Sequence, residues 1–130
     1  MKISLSFAAI AGVVGVSAGA FGAHALRATL LANGTLSTWN TGVLYNLVHA
    51  PAILAVCLYT HQRPDHSAWL NRACACWLIG ILLFSGSLYG LALAGPRWLG
   101  PVTPLGGVFL ISGWLCLVGQ AQTALPAGEK

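Results

Sequence analysis

The twenty residues TGVLYNLVHAPAILAVCLYT, Thr41–Thr60, decide the fold. No charged side chain interrupts them. At about 1.5 Å per residue, a helix of this length crosses the roughly 30 Å hydrocarbon core of a bilayer. An isolated apolar strand would leave its backbone groups unpaired in lipid, so a helix is the only state open to the stretch. Three further runs have the same character: Ile3–Ala25, Ala73–Ala94 and Pro104–Ala124. Between them, Asn33-Gly34 reads as a turn, Arg63-Pro64-Asp65 as a polar loop and Gly95-Pro96-Arg97 as the stop of the third run. Trp39, Trp69 and Trp98 stand near run ends, where an indole prefers the headgroup layer. The expected fold is an all-α membrane protein, a compact bundle of four transmembrane helices forming a single domain over residues 1–130.

Composition agrees. Of 130 residues, 57% are hydrophobic and 6% charged, and mean hydropathy is +0.78. A soluble domain carries about a quarter charged residues, so lipid must cover most of this surface. The net charge of +4 arises from six Lys/Arg against Asp65 and Glu129. The bases are scattered singly between apolar runs, which argues against nucleic acid and for topology signals and anionic lipid headgroups. Lys2, the first run and Ala18-Gly19-Ala20 resemble a signal peptide with its cleavage site. However, the run carries one positive side chain and continues through the cut into Phe21-Gly22-Ala23, so it is expected to remain as a helix. With four spans, Lys2, Arg63, Arg72 and Lys130 share one side, and Arg27 and Arg97 the other. The excess predicts that both termini are cytoplasmic.

Small residues indicate how the helices meet. Gly12, Gly15, Gly19 and Gly22 recur at three- and four-residue steps on one face of the first helix, with Gly15-xxx-Gly19 as a small-xxx-small unit. On the third helix Gly80, Ser87 and Ala94 share a face and Gly86 pairs with Gly90. Gly106 and Gly113 are seven apart on the fourth. Tight packing of this kind argues against a wide pore.

The second helix has the most polar face. Gly42, Tyr45, Asn46 and His49 form one stripe, with His49 roughly halfway across. Polar side chains at that depth face protein or water rather than lipid. Pro51 removes a backbone donor and frees a carbonyl one turn back. His49, Tyr45 and Asn46 are therefore the candidate internal polar site, with His24, near the outer end of the first helix, above them. Two readings stand: His49 fixes packing by a hydrogen bond to a neighbouring helix, or it titrates or meets a ligand. His24 and His49 as haem ligands, a metal pair or a proton relay are disfavoured by their different depths and by the lack of a second carboxylate or haem-attachment motif.

Other constellations are weaker. Cys57 and His61 are four apart, with Asp65 and His66 nearby, which suits a soft metal ion. Yet Cys74-x-Cys76 has no zinc spacing and points its thiols to different sides of a helix. The four cysteines are read as small apolar fillers, and no metal or cofactor is expected. Asn33-Gly34-Thr35 fits a glycosylation sequon, although a tight turn explains it. Both acids lie outside the runs, and no phosphate loop or serine-nucleophile motif is present, so the chain is not expected to be an enzyme.

The motifs themselves resemble a known family. Gly19-Ala20-Phe21-Gly22-Ala23-His24 closes the first helix, and Trp39-x-Thr41-Gly42-Val43-x-Tyr45 leads to His49-Ala50. Leu83-Phe84-Ser85-Gly86-Ser87-Leu88-Tyr89, Thr103-Pro104-Leu105-Gly106-Gly107 and Gly113-Trp114 follow in order. This set is similar to the YgdD-like family of small four-helix bacterial inner-membrane proteins, related to a small eukaryotic transmembrane protein. The resemblance implies a four-span protein of the bacterial inner (plasma) membrane and carries over no catalytic residue, because the family is a domain of unknown function. The Cys57/His61/His66 group and the Cys74-x-Cys76 pair lie outside those motifs.

The motif residues concentrate toward the outer half, where a polar, tightly packed patch is expected. The foremost expectation is a non-catalytic accessory or membrane-integrity component, in contact with membrane lipids and with a membrane-protein partner or a second copy as candidate neighbours. The alternative is a binder or carrier of a small amphipathic ligand, a lipid or quinone-like molecule, near His49.

Overall fold

A computed structural model describes residues 5–62 and 68–124. The loop Arg63-Pro64-Asp65, His66, Lys2, Ile3 and the tail from Pro126 lie outside the described residues. Helix α1 is Leu5–Ala23, α2 Arg27–Ala32, α3 Leu36–Gln62, α4 Ala68–Ala92 and α5 Val102–Ala124, with a 3-10 turn at Arg97–Leu99. Four of these, α1, α3, α4 and the α5 region, are long and apolar enough to span a membrane.

The spans differ from the sequence boundaries at their ends. Helix α3 starts at Leu36 rather than Thr41, and α4 at Ala68 rather than Ala73. The added turns carry Ser37, Asn40, Asn71 and Arg72, polar side chains that a helix can extend into the headgroup layer without leaving its own hydrogen-bond ladder. Arg72 lies over the Trp69 ring, 5.2 Å from its centroid, a cation–π contact suited to that layer. The short α2 and the 3-10 turn are additions to the four-run reading.

Each long helix packs on its neighbour in the chain: α1 on α3, α3 on α4 and, most extensively, α4 on α5. One apolar core joins all four, from Ala8 and Ala11 through Ala50 and Ile53 to Ala73, Cys74, Trp77, Ile81 and Leu110. Large apolar side chains cover the outside, among them Val13, Val16, Leu82, Ile111 and Leu115. That inversion is stable only where lipid is the solvent.

The buried face of α1 is Ala8, Ala11, Gly15, Ala18 and Gly22, a seam alternating steps of three and four. Gly15 takes the Leu47 side chain and Gly22 the Trp39 indole, and a β-carbon at either would collide with them. Gly19 meets Val43 in ordinary contact, whereas Gly12 has open space beside it. The expected four-glycine stripe is thus split. Gly15 and Gly22 face α3, while Gly12 and Gly19 lie about 60° round the helix. On α4 the Gly86 position is also open, so Gly86 and Gly90 are not a packing pair.

Helix α5 approaches α4 most closely. A β-carbon at Gly106 would strike the backbone of Leu83 and Phe84, one at Gly80 the Leu110 side chain, and one at Gly113 the buried Trp77 indole. Both connections at this end of the bundle use left-handed residues. Gly34 (φ 66°) follows α2 and Ala94 (φ 63°) follows α4. After α4, Gly95 N–H donates to the Gly90 carbonyl at 2.8 Å and Ala94 N–H to Leu91 at 3.3 Å, the Schellman arrangement that satisfies the last carbonyls. Ala94 is accordingly past the helix, not on the Gly80/Ser87 face.

Candidate functional site

His49 lies thirteen residues into the 27-residue α3, about 20 Å along its axis and near mid-membrane. It is 4% exposed. Its Nδ1–H donates to the Tyr45 carbonyl at 2.7 Å. The Trp114 indole N–H, from α5, donates to its Nε2 at 3.1 Å. An indole nitrogen can only donate, so Nε2 carries the lone pair and the ring proton sits on Nδ1. A carbonyl can only accept, which requires the same tautomer. The two partners together therefore define neutral His49 with both nitrogens engaged. Adding a proton to Nε2 would set one N–H against another. Pro51 frees the carbonyl of Leu47, but His49 uses that of Tyr45.

Aromatic rings enclose the imidazole. Trp114, Trp77 and Tyr45 have centroids 6.0, 6.1 and 6.2 Å from it. Trp77 and Trp114 meet edge-on at 4.9 Å, and Tyr45 lies 4.6 Å from Phe84. These separations fall within the favourable range for aromatic pairs. The small residue Gly113 lets the Trp77 indole fit against α5.

The predicted stripe is only partly internal. Gly42, Asn46 and His49 are buried on α3, whereas Tyr45 is 40% exposed at the edge of the interface. Asn46 is fully buried, and its Nδ2 reaches the Tyr89 hydroxyl at 3.4 Å. His24, further toward the outer end, makes no contact with this group. It is exposed in the turn after α1, where its backbone N–H donates to the Ala20 carbonyl and its backbone carbonyl accepts from the Arg27 backbone N–H. His49, Asn46 and the Tyr45 backbone are brought together, and His24 stands apart.

A ladder of polar contacts runs from this centre toward the end of the bundle opposite the termini. Trp39 Nε1–H donates to the Ala18 carbonyl of α1 at 2.9 Å. Ser85 of α4 donates to the Gly42 carbonyl of α3 at 2.8 Å. Thr35 donates to the Ala92 carbonyl at 2.7 Å, and Ser87 of α4 shares a 2.7 Å bond with Thr103 of α5. Every neighbouring pair of spans is stitched in this half. Trp114, Trp77, Ser85 and Tyr89 were not singled out as site residues from sequence. Trp114, Ser85 and Tyr89 lie inside the quoted motifs, which was the available signal.

Residues 18–107 match the model of a family described as "Protein of unknown function (DUF423)". The chain belongs to this family. It is 42% identical over 123 residues to the UPF0382 inner membrane protein YgdD of Escherichia coli, covering 93% of this chain and 91% of that protein. The UPF0382 membrane protein YwdK of Bacillus subtilis is 38% identical, covering 93% of this chain and 97% of that one. A UPF0382 membrane protein of Staphylococcus saprophyticus is 39% identical over 120 residues, 91% of this chain and 95% of its own. No solved structure matches. The DUF423 match begins at Ala18 and ends at Gly107, so it spans the polar ladder and His49 but stops short of Trp114.

Proposed function

We propose that this DUF423 protein is a non-catalytic membrane component, an accessory subunit or a contributor to membrane integrity, whose buried polar side chains serve to hold its helices together. The observation that carries this reading is His49, with one nitrogen bonded to its own helix and the other to α5. With both nitrogens held inside the protein, one by α3 and one by α5, the imidazole acts as a cross-link between the two helices. The same reading places the protein in the inner membrane of a bacterium, in contact with lipid over its apolar flanks.

The test is His49→Gln. A glutamine amide retains one donor and one acceptor, so the variant should fold, melt close to wild type and complement a deletion strain. A His49→Gln protein that folds yet fails to complement would overturn the reading. That outcome favours a binder of a small lipid or quinone-like molecule near His49. This second reading draws on Asn46 Oδ1 and Trp77 Nε1, an acceptor and a donor buried without a hydrogen-bond partner.

Orientation is part of the proposal. Both termini are cytoplasmic, supported by Lys2, Arg63, Arg72 and Lys130 against Arg27 and Arg97. A reporter fused after Lys130 should be active only as a cytoplasmic fusion; activity only on the outer side contradicts it.

A further inference from the structure

Helices α3 and α5 flank α4 without packing closely on each other, and the Trp114–His49 bond joins them near mid-membrane. On the side of that bond nearer the termini they leave a cleft of about 360 Å³, within the size range of small-molecule sites. Leu70 of α4 is its floor, Ala55, Val56 and Tyr59 of α3 form one wall, and Leu117 and Gln120 of α5 form the other. Tyr59 is 47% exposed and Ala55 is exposed as well, so the cleft opens sideways to the bilayer. Its two ends differ. Toward mid-membrane the walls are Val56 and Leu117, both apolar. Toward the termini stands Gln120, in the last turns of α5 and at headgroup depth. Its amide oxygen is buried with no hydrogen-bond partner. The last torsion of a glutamine is broad, so a turn about it presents that oxygen to a donor in the cleft.

We propose that this cleft binds one diacyl phospholipid from the leaflet on the side of the termini, with an acyl chain along Val56 and Leu117 and a headgroup donor on Gln120. Hydrocarbon is the solvent at this depth, so an acyl chain rather than water fills the apolar end. A partner helix keeps its backbone donors for itself and reaches Gln120 only through a side chain in register, whereas a hydroxyl or ammonium headgroup brings a donor to that level by its own architecture. Charge selects further among lipids. The same end of the protein carries Lys2, Arg63, Arg72 and Lys130 against Asp65 and Glu129, an excess that draws anionic headgroups. Phosphatidylglycerol, anionic and hydroxyl-bearing, should therefore bind best. Phosphatidylethanolamine, with donors but no net charge, should follow, and phosphatidylcholine, with neither, should come last. The site lies about two turns of α3 from His49 and does not depend on it, so the outcome of the His49→Gln test leaves it untouched.

The test incubates the delipidated full chain in mild detergent with dioleoyl phosphatidylglycerol, phosphatidylethanolamine or phosphatidylcholine and reads retained lipid by native mass spectrometry. Wild type should keep one lipid per chain, with affinities in that order. Ala55→Trp and Ala121→Leu fill the cleft from opposite walls, and each should lose the retained lipid whatever its headgroup. Both positions are exposed, so the two variants should melt as wild type. Gln120→Leu should still keep phosphatidylglycerol but bind phosphatidylethanolamine about fivefold more weakly, the worth of one hydrogen bond, and so no better than phosphatidylcholine. No retained lipid in wild type, undiminished retention in both filled variants, or equal binding of the three headgroups would overturn the proposal. So would a dimer that dissociates in Ala55→Trp, which would mark the cleft as a docking face for a second copy.

Discussion

Gly106→Leu should abolish stable docking of α5, with a loss of about 3 kcal/mol, the upper end of the usual cost of overpacking. A side chain at this position meets the backbone nitrogen and Cα of Phe84 and the carbonyl carbon of Leu83. Backbone in mid-helix has no rotamer into which to retreat, so α5 must move away from α4 as a body. The largest interface in the molecule is then lost. Gly106→Ala should already show much of the effect. Gly107→Ala is the control, because its β-carbon would lie 3.8 Å from the Phe84 ring, in ordinary contact. Gly12→Ala, with nothing within 4 Å, should be neutral or slightly stabilising, since alanine is the better helix former. Melting curves in mild detergent, read by size-exclusion chromatography with fluorescence detection, would rank these variants. Equal melting of Gly106→Leu and wild type would mean that α5 does not pack on α4 as described.

Trp77→Ala should cost about 3 kcal/mol, near the low end for removing a buried tryptophan. Lipid tails are as apolar as the protein interior, so little hydrophobic transfer energy is at stake. What is lost is the dispersion contact of a fully buried indole with His49 and Trp114 and the fill beside Gly113. Coupling to Gly113 gives the sharper readout. In the wild-type background Gly113→Ala drives a methyl into the Trp77 ring and should lower the melting temperature clearly. In the Trp77→Ala background the same methyl enters vacant space and should be neutral or restore stability. Additive effects would contradict the packing.

Both predictions rest on contacts that the sequence signals only in part. The four spans were legible because run length and the cost of unpaired backbone in lipid leave one solution for Thr41–Thr60 and its three counterparts. The ends were less so. Leu36–Asn40 and Ala68–Arg72 are polar enough to read as loop, yet a helix running into the headgroups keeps its hydrogen bonds there. The six-residue α2 has no run long enough to register. Within the site, offsets of four and seven from Gly42 correctly place Asn46 and His49 on its face. Tyr45, at offset three, falls about 60° to one side, and that shift is enough to bring it to the lipid edge. Periodicity also says which residues share a face and not which helix that face meets. Trp114 lies 65 positions from His49, and no local pattern connects them. Trp77 gave one clue, an indole deep in an apolar run rather than at the interface where indoles prefer to sit.

The central claim is that His49, midway along α3, is committed to holding α3 and α5 together. Its most direct test is the nitrogen-15 spectrum of the His49 imidazole in the folded protein, at a mildly alkaline pH where an ordinary imidazole is neutral. The account predicts a proton on Nδ1 and an unprotonated, hydrogen-bonded Nε2 whose resonance shifts in Trp114→Phe while Nδ1 stays in place. A proton found on Nε2, or an Nε2 resonance indifferent to Trp114→Phe, would contradict it.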